Sequence, residues 1–211
     1  MVGITGLFPG PAAVEKFRAE GLDVNLLIID VADDTSVIKA ARTLTEHTTH
    51  LDILINNAGV ALNLKSLPSH ESLDAIRETY ETNTFGPIRV TQAFLPLLKA
   101  ASQARIIMLS SIVGSIGLSS DPDLIYGQVH FMGYSSSKAA LNMITAAFAK
   151  ELGPSGIKVY AVEPGHIRTD LNDNTGSLTK EEGAAVPIRY ATINLDVSNG
   201  GFFGPEGILP W

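Results

Sequence analysis

Apolar residues fall along this chain in two alternating patterns. Short runs rich in Val, Ile and Leu occupy Val24–Ile29, Leu51–Ile55, Arg105–Leu109 and Ile157–Val162, each bounded by turn residues. Runs of that length without strict alternation predict strands buried on both faces of a parallel sheet. Between them, apolar residues recur three and four apart over Asp33–Thr48, Glu71–Ala100 and Tyr134–Leu152, which predicts helices. The second of these is interrupted at Gly86-Pro87 and at Pro96. Strand alternating with helix at this spacing predicts an α/β fold, a doubly wound and mostly parallel sheet whose ligand crevice lies beyond the carboxyl ends of the strands. Neither a repeat nor a linker nor a low-complexity tract divides the chain, so residues 1–211 read as one domain.

Polar residues gather where that crevice is expected. Asp30 follows the first predicted strand, Asn56-Asn57-Ala58-Gly59 the second, Ser110-Ser111 the third and Glu163-Pro164-Gly165 the fourth. Any one of these is an ordinary turn sequence. Four at successive strand ends point to a shared site.

Composition removes several classes of function. The charge is -7, from 15 Lys plus Arg against 22 Asp plus Glu, and the basic residues are scattered, so nucleic acid is not an expected partner. No apolar run approaches the roughly 20 residues that cross a bilayer, and no signal-peptide layout opens the chain, so neither a membrane nor secretion is expected. With no cysteine there is no disulfide and no thiolate nucleophile, and a cytoplasmic location is the expectation. The five histidines, His130 and His166 included, show no metal-ligand spacing.

Tyr134-Ser135-Ser136-Ser137-Lys138 opens the third predicted helix. Residues four apart share a helix face, which brings the Lys138 ammonium toward the Tyr134 phenol. A cation there favours the ionised phenol and is expected to bring its pKa from about 10 toward the working range of proton transfer. With five tyrosines in the chain, one Tyr followed by Lys four residues on is by itself a weak signal.

Taken together, Tyr134 to Lys138, Asn56 to Gly59 after a strand, Asn83 in ETNTFGP, Ser110-Ser111 after RIIML, and PGHIRTDL resemble the short-chain dehydrogenase/reductase family in its carbonyl-reductase-like branch, from about Ala12 to the C-terminus. The resemblance implies a Rossmann-like fold and interconversion of a small-molecule carbonyl and a secondary alcohol, with NADP(H) favoured and NAD(H) open. Residue by residue it implies that Tyr134 is the general acid/base and that Lys138 lowers its pKa and hydrogen-bonds the nicotinamide ribose. Ser111, with Ser110 as its rival, would hold the substrate oxygen. Asn83 would shape a helix whose carbonyl keeps a relay water, its alternative being a plain helix interruption. Asp30 and Val31 would flank the adenine, the backbone of Asn57, Ala58 and Gly59 would run along the cofactor, and Pro164, Gly165, Ile167 and Thr169 would close over the nicotinamide. Homodimer formation is left open.

The sequence departs from the family in two places. The stretch between Ser111 and Tyr134 is longer than the family's usual spacing, and its Tyr126 and Phe131 read either as an apolar wall of the substrate pocket or as a loop packing its own aromatics. At the N-terminus the family has a strand, a Gly-rich phosphate loop, a helix and a second strand, whereas AAVEKFRAEGLDVNLLIIDVADD resembles only the helix and strand that come after those. The chain therefore reads as N-terminally shortened. Residues 1–10 are either an atypical leader or short replacement strand, or, continued through Thr5-Gly6, Gly10 and Ala12, a residual phosphate loop weakened by Pro9 and Pro11, which carry no N–H. The alternative function is accordingly a catalytically impaired scaffold or binding paralogue, or a truncated gene product with weak cofactor binding.

Overall fold

The computed structural model describes residues 1–4, 10–192 and 197–211. Six strands form one sheet: β1 (Val2–Ile4), β2 (Ile53–Asn56), β3 (Arg105–Leu109), β4 (Lys158–Val162), β5 (Phe202–Gly204) and β6 (Gly207–Ile208). They lie side by side in sequence order, β1 to β5 parallel and β6 returning antiparallel to β5. The registers Ile4 to Ile55, Asn56 to Met108 and Leu109 to Val162 bring the carboxyl ends of β1 to β4 to one edge.

Helices occupy α1 (Gly10–Ala19), α2 (Asp34–Thr45), α3 (Leu73–Tyr80), α4 (Gly86–Ala100), α5 (Ile116–Ser119), α6 (Met132–Leu152) and α7 (Lys180–Thr192). The unbroken apolar runs of the central strands now have their explanation. In β3, Ile106 and Met108 point into a core built with Val37 of α2, Val90, Phe94 and Leu98 of α4 and Leu141 of α6. Ile107 and Leu109 point the other way, onto Val186 and Tyr190 of α7. A strand covered on both faces has no polar side to show.

Two expectations change. Val24–Ile29 is not a strand. Its side chains still alternate, with Leu27 and Ile29 packed against the core while Leu26 and Ile28 face out, Ile28 at 81% exposure. The unbroken apolar run predicts burial on both faces and only one face is covered; a strand also needs a neighbour to complete its ladder, and among the described residues this segment pairs with none. The second change concerns the long helix. Gly86-Pro87 does not interrupt it; instead the turns just ahead, Glu81–Phe85, widen into a π-helical stretch, and Pro96 is carried inside α4. Such widened turns recur at functional sites. Within residues 1–10, Val2–Ile4 forms a strand, and Thr5 to Pro9, on which the phosphate-loop reading turns, lie outside the described residues.

Candidate active site

The crevice is assembled from four chain segments at the carboxyl edge of the sheet. The widened turn directs Asn83 inward, where it is fully buried. Its Oδ1 accepts from the Val60 amide (2.8 Å), and its Nδ2 donates to the Val60 carbonyl (2.8 Å) and to Ser137 Oγ (3.1 Å). Asn83 thus joins the segment after β2 to α6, the helix that carries Tyr134 and Lys138. Gly59 sits between them: a Cβ there would stand 3.5 Å from Asn83 Oδ1 and 3.6 Å from Lys138 Nζ. The start of α6 is held by Glu71, whose two carboxylate oxygens each accept from the Gly133 amide at 3.2 Å. A carboxylate at a helix N-terminus also complements the helix dipole.

Lys138 is buried, and its Nζ donates to the carbonyl of Leu109, the last residue of β3, at 2.7 Å. The ammonium lies 5.7 Å from the centre of the Tyr134 ring, which is half-buried at the mouth of the crevice. The two serines after β3 take opposite paths. Ser110 is buried and its hydroxyl donates to Asn142 Oδ1 at 2.5 Å, so it serves packing against α6. The Ser111 hydroxyl interacts with Tyr134 and with Glu163. Gly114, in the turn that follows, lets this segment approach α6, since a Cβ there would come within 2.7 Å of Lys138 Cβ.

Electrostatically the site differs from the expectation drawn from Tyr-to-Lys spacing. Burial, helped by the negative charge of Glu163, pushes the Tyr134 phenol up to about 12, against a lowering contact from Ser111. Burial also pushes the Lys138 ammonium down to about 8, with Glu163 acting in the opposite sense. For both groups the removal of charge from water is the largest influence. The phenol is therefore held protonated, and the lysine changes charge near pH 8.

Lys138 has a consequence for stability. Below about pH 8 both the folded and the unfolded chain hold its proton, and the penalty of burying the cation is fully present. From there to the unfolded value of 10.5 only the unfolded chain holds it, so stability rises with pH. Relative to Lys138→Met, the wild type is expected to gain up to about 3 kcal/mol across that window. Tyr134 acts in the opposite sense above pH 10, so urea melts of the two proteins at pH 7 and pH 9.5 make the cleanest comparison; a constant difference between them would remove the buried cation.

The remaining predicted residues lie around this centre. Val31 is buried and packs on Gly86, whose Cβ position is 2.9 Å from Val31 Cγ2. Asp30 is exposed, with Oδ1 accepting from the Ala32 amide at 2.9 Å. Ala58 is buried beside exposed Asn57. After β4, Gly165 takes φ +92, and Ile167 pairs with Leu178 and fills the space left open at Gly183. The Thr169 amide donates to Asn172 Oδ1 at 3.3 Å. Among the described residues no group of three or more His, Asp or Glu side chains is placed to hold a metal, and no helix is long and apolar enough to cross a membrane.

Sequence reading assigned nothing to Glu163 beyond marking a strand end. It is buried, and its oxygens accept from the Ile112 and Gly165 amides at 2.5 and 2.7 Å. An acidic residue directly after the apolar run Val159 to Val162 was the available signal.

The same architecture is found in known proteins. Short-chain dehydrogenase anuI of Penicillium roqueforti is 38% identical over 170 residues, covering 79% of this chain and 67% of that one. The (+)-neomenthol dehydrogenase of Arabidopsis thaliana is 34% identical over 253 aligned positions, covering 94% and 85%. Among solved structures, the NADPH-bound carbonyl reductase from chicken fatty liver is similar at a TM-score of 0.82 and 29% identity, over 95% of this chain and 82% of that one. The carbonyl reductase Sniffer of D. melanogaster reaches 0.83 and 28%, over 99% and 87%. The short chain dehydrogenase model matches residues 7–179, a span that takes in the strand ends, Asn83 and the Tyr134 helix described above, and the chain belongs to that family.

Proposed function

We propose that this protein interconverts a carbonyl compound and a secondary alcohol with a nicotinamide dinucleotide, NADP(H) in preference to NAD(H). The observation that carries the reading is the convergence of Tyr134 and Lys138 of α6 with Ser111 after β3 and Asn83 of the widened turn. NADPH bound to the chicken carbonyl reductase supports the cofactor assignment.

The residues present fit the nicotinamide-ribose end of such a cofactor. Gly59 has no side chain to occupy the space against Asn83 and Lys138, and Lys138 Nζ has three donors of which Leu109 takes one. The bound dinucleotide would supply the hydride. Tyr134, protonated at neutral pH, gives its hydroxyl proton to the substrate oxygen in reduction. Ser111 holds the same oxygen through its O–H. Lys138 stabilises the phenolate that is left, because a cation beside a newly formed anion is worth more in a site shielded from water. Asn83 fixes α6, through Ser137, against the Val60 backbone so that these groups keep their spacing. Tyr126 and Phe131, half-buried on the segment leading into Tyr134, suit an apolar substrate body.

The test is loss of NADPH absorbance on adding aliphatic, alicyclic and aromatic ketones and aldehydes to the purified chain, with NADH in parallel. Carbonyl-dependent oxidation, faster with NADPH, is expected. A folded protein inert to the whole panel with both dinucleotides would favour the impaired scaffold, a reading that Pro11 in the first turn of α1 supports.

A further inference from the structure

We propose that Glu163 is a positioning residue of the proton-transfer site: its carboxylate ties the Ser111 segment to the segment that follows β4 and orients the Ser111 hydroxyl beside Tyr134. The inference rests on the carbonyl–alcohol reading above. A carboxylate in this place is unfavourable unless something uses it, since Glu163 is only 6% exposed and directly follows the buried residues Val159 to Val162 of β4. What it holds is specific. One oxygen accepts from the amide of Ile112, the residue after Ser111, at 2.5 Å, and the other from the amide of Gly165 at 2.7 Å. The Ser111 hydroxyl is a further partner of the same carboxylate and also meets Tyr134. Ser111 has one proton to give, so the Glu163 carboxylate, the Tyr134 oxygen and an arriving substrate oxygen compete for it. The charge acts on both neighbours, raising Tyr134 and supporting the cationic form of Lys138.

The groups acting on Glu163 are Lys138 of α6, the Ser111 hydroxyl and the two amides. From β5 the neighbour is the Phe203 carbonyl, which accepts from the Glu163 N–H at 2.7 Å.

The experiment compares wild type, Glu163→Gln and Glu163→Asp. In Glu163→Gln, kcat is expected to fall by roughly 10-fold to 100-fold, as for a small misplacement of a reacting group, with NADPH affinity within a factor of two. The alkaline limb of the alcohol-oxidation profile is expected to move to lower pH, because the anion that holds the phenol protonated is gone. Ultraviolet titration of the tyrosinate signal, taken as the difference from Tyr134→Phe, reads the same shift without turnover. If wild type shows no turnover, the functional reading fails and this titration still judges Glu163. A limb and a Tyr134 titration coinciding with wild type would overturn the proposal, even if the melting temperature fell. Should Glu163→Gln not fold, Glu163→Asp decides: it keeps the charge but draws back the oxygens, so kcat falls while the limb stays, and an unaltered kcat overturns the positioning role.

Discussion

Replacing Tyr134 by Phe is expected to lower kcat for ketone reduction by about 100-fold or more while leaving dinucleotide affinity within a factor of two, the usual range for loss of a positioned acid or base being 10²–10⁴-fold. The substitution removes one oxygen and keeps the ring, so the 5.7 Å approach of the Lys138 ammonium to the ring is preserved and α6 is undisturbed. What disappears is the only phenol at the junction of Ser111, Glu163 and Lys138 among the described residues. With the phenol held up to about 12, the free chain is poised for donation, and the reverse reaction needs a phenolate that is scarce at neutral pH. Alcohol oxidation by the wild type should therefore climb through the alkaline range while reduction does not. Steady-state assays of both directions from pH 6 to pH 10 check this. A Tyr134→Phe protein keeping more than a tenth of wild-type kcat would remove Tyr134 from proton transfer.

The contrast between Tyr134 and Glu163 shows what the sequence made legible. Tyr134 and Lys138 could be read because a helix imposes a fixed spacing, so four residues of sequence already state a geometry. The strand ends were legible for a related reason. An apolar run as short as Arg105–Leu109 can end only where polar residues begin, and in a parallel sheet those ends align. Glu163 was not legible, because its partners, Ile112 and Lys138, are distant in sequence and meet it only once β3 and β4 are in register. The direction of the Tyr134 shift was misjudged for the same cause. Sequence separation gives the distance to a cation, but the water lost around both groups depends on what packs over them. Val24–Ile29 differs for another reason: its apolar run predicts burial on both faces, whereas Leu26 and Ile28 face out, and the pairing that makes a strand needs a neighbour that no local pattern specifies. Sequence favours Ser111 over its rival Ser110, and the Ser110 bond to Asn142 supports that preference.

Dinucleotide binding is expected to be on the order of ten to a thousandfold weaker than in a family member with an intact Gly-rich loop, at about 1.4 kcal/mol per factor of ten. The argument concerns the phosphate end of the cofactor. Pyrophosphate recognition of this kind uses free backbone N–H groups in the first turn of a helix. In α1, which begins at Gly10, that turn contains Pro11, which has no N–H to offer. The ribose and nicotinamide end keeps Gly59, Asn83 and Lys138, so weakening is expected rather than abolition, with a small preference for NADPH. Isothermal titration with NADPH and NADH measures both. The informative variant is Gly6→Val and not Gly10→Val, since a Cβ at Gly10 would come within 2.7 Å of Leu26 Cδ1 and disturb packing whatever the cofactor does. Low-micromolar affinity in the wild type that collapses in Gly6→Val would establish a working phosphate loop and refute the expected weakness. No heat of binding even at millimolar dinucleotide would sink the enzyme reading in favour of the scaffold, because a proton-transfer site without a hydride source cannot turn over.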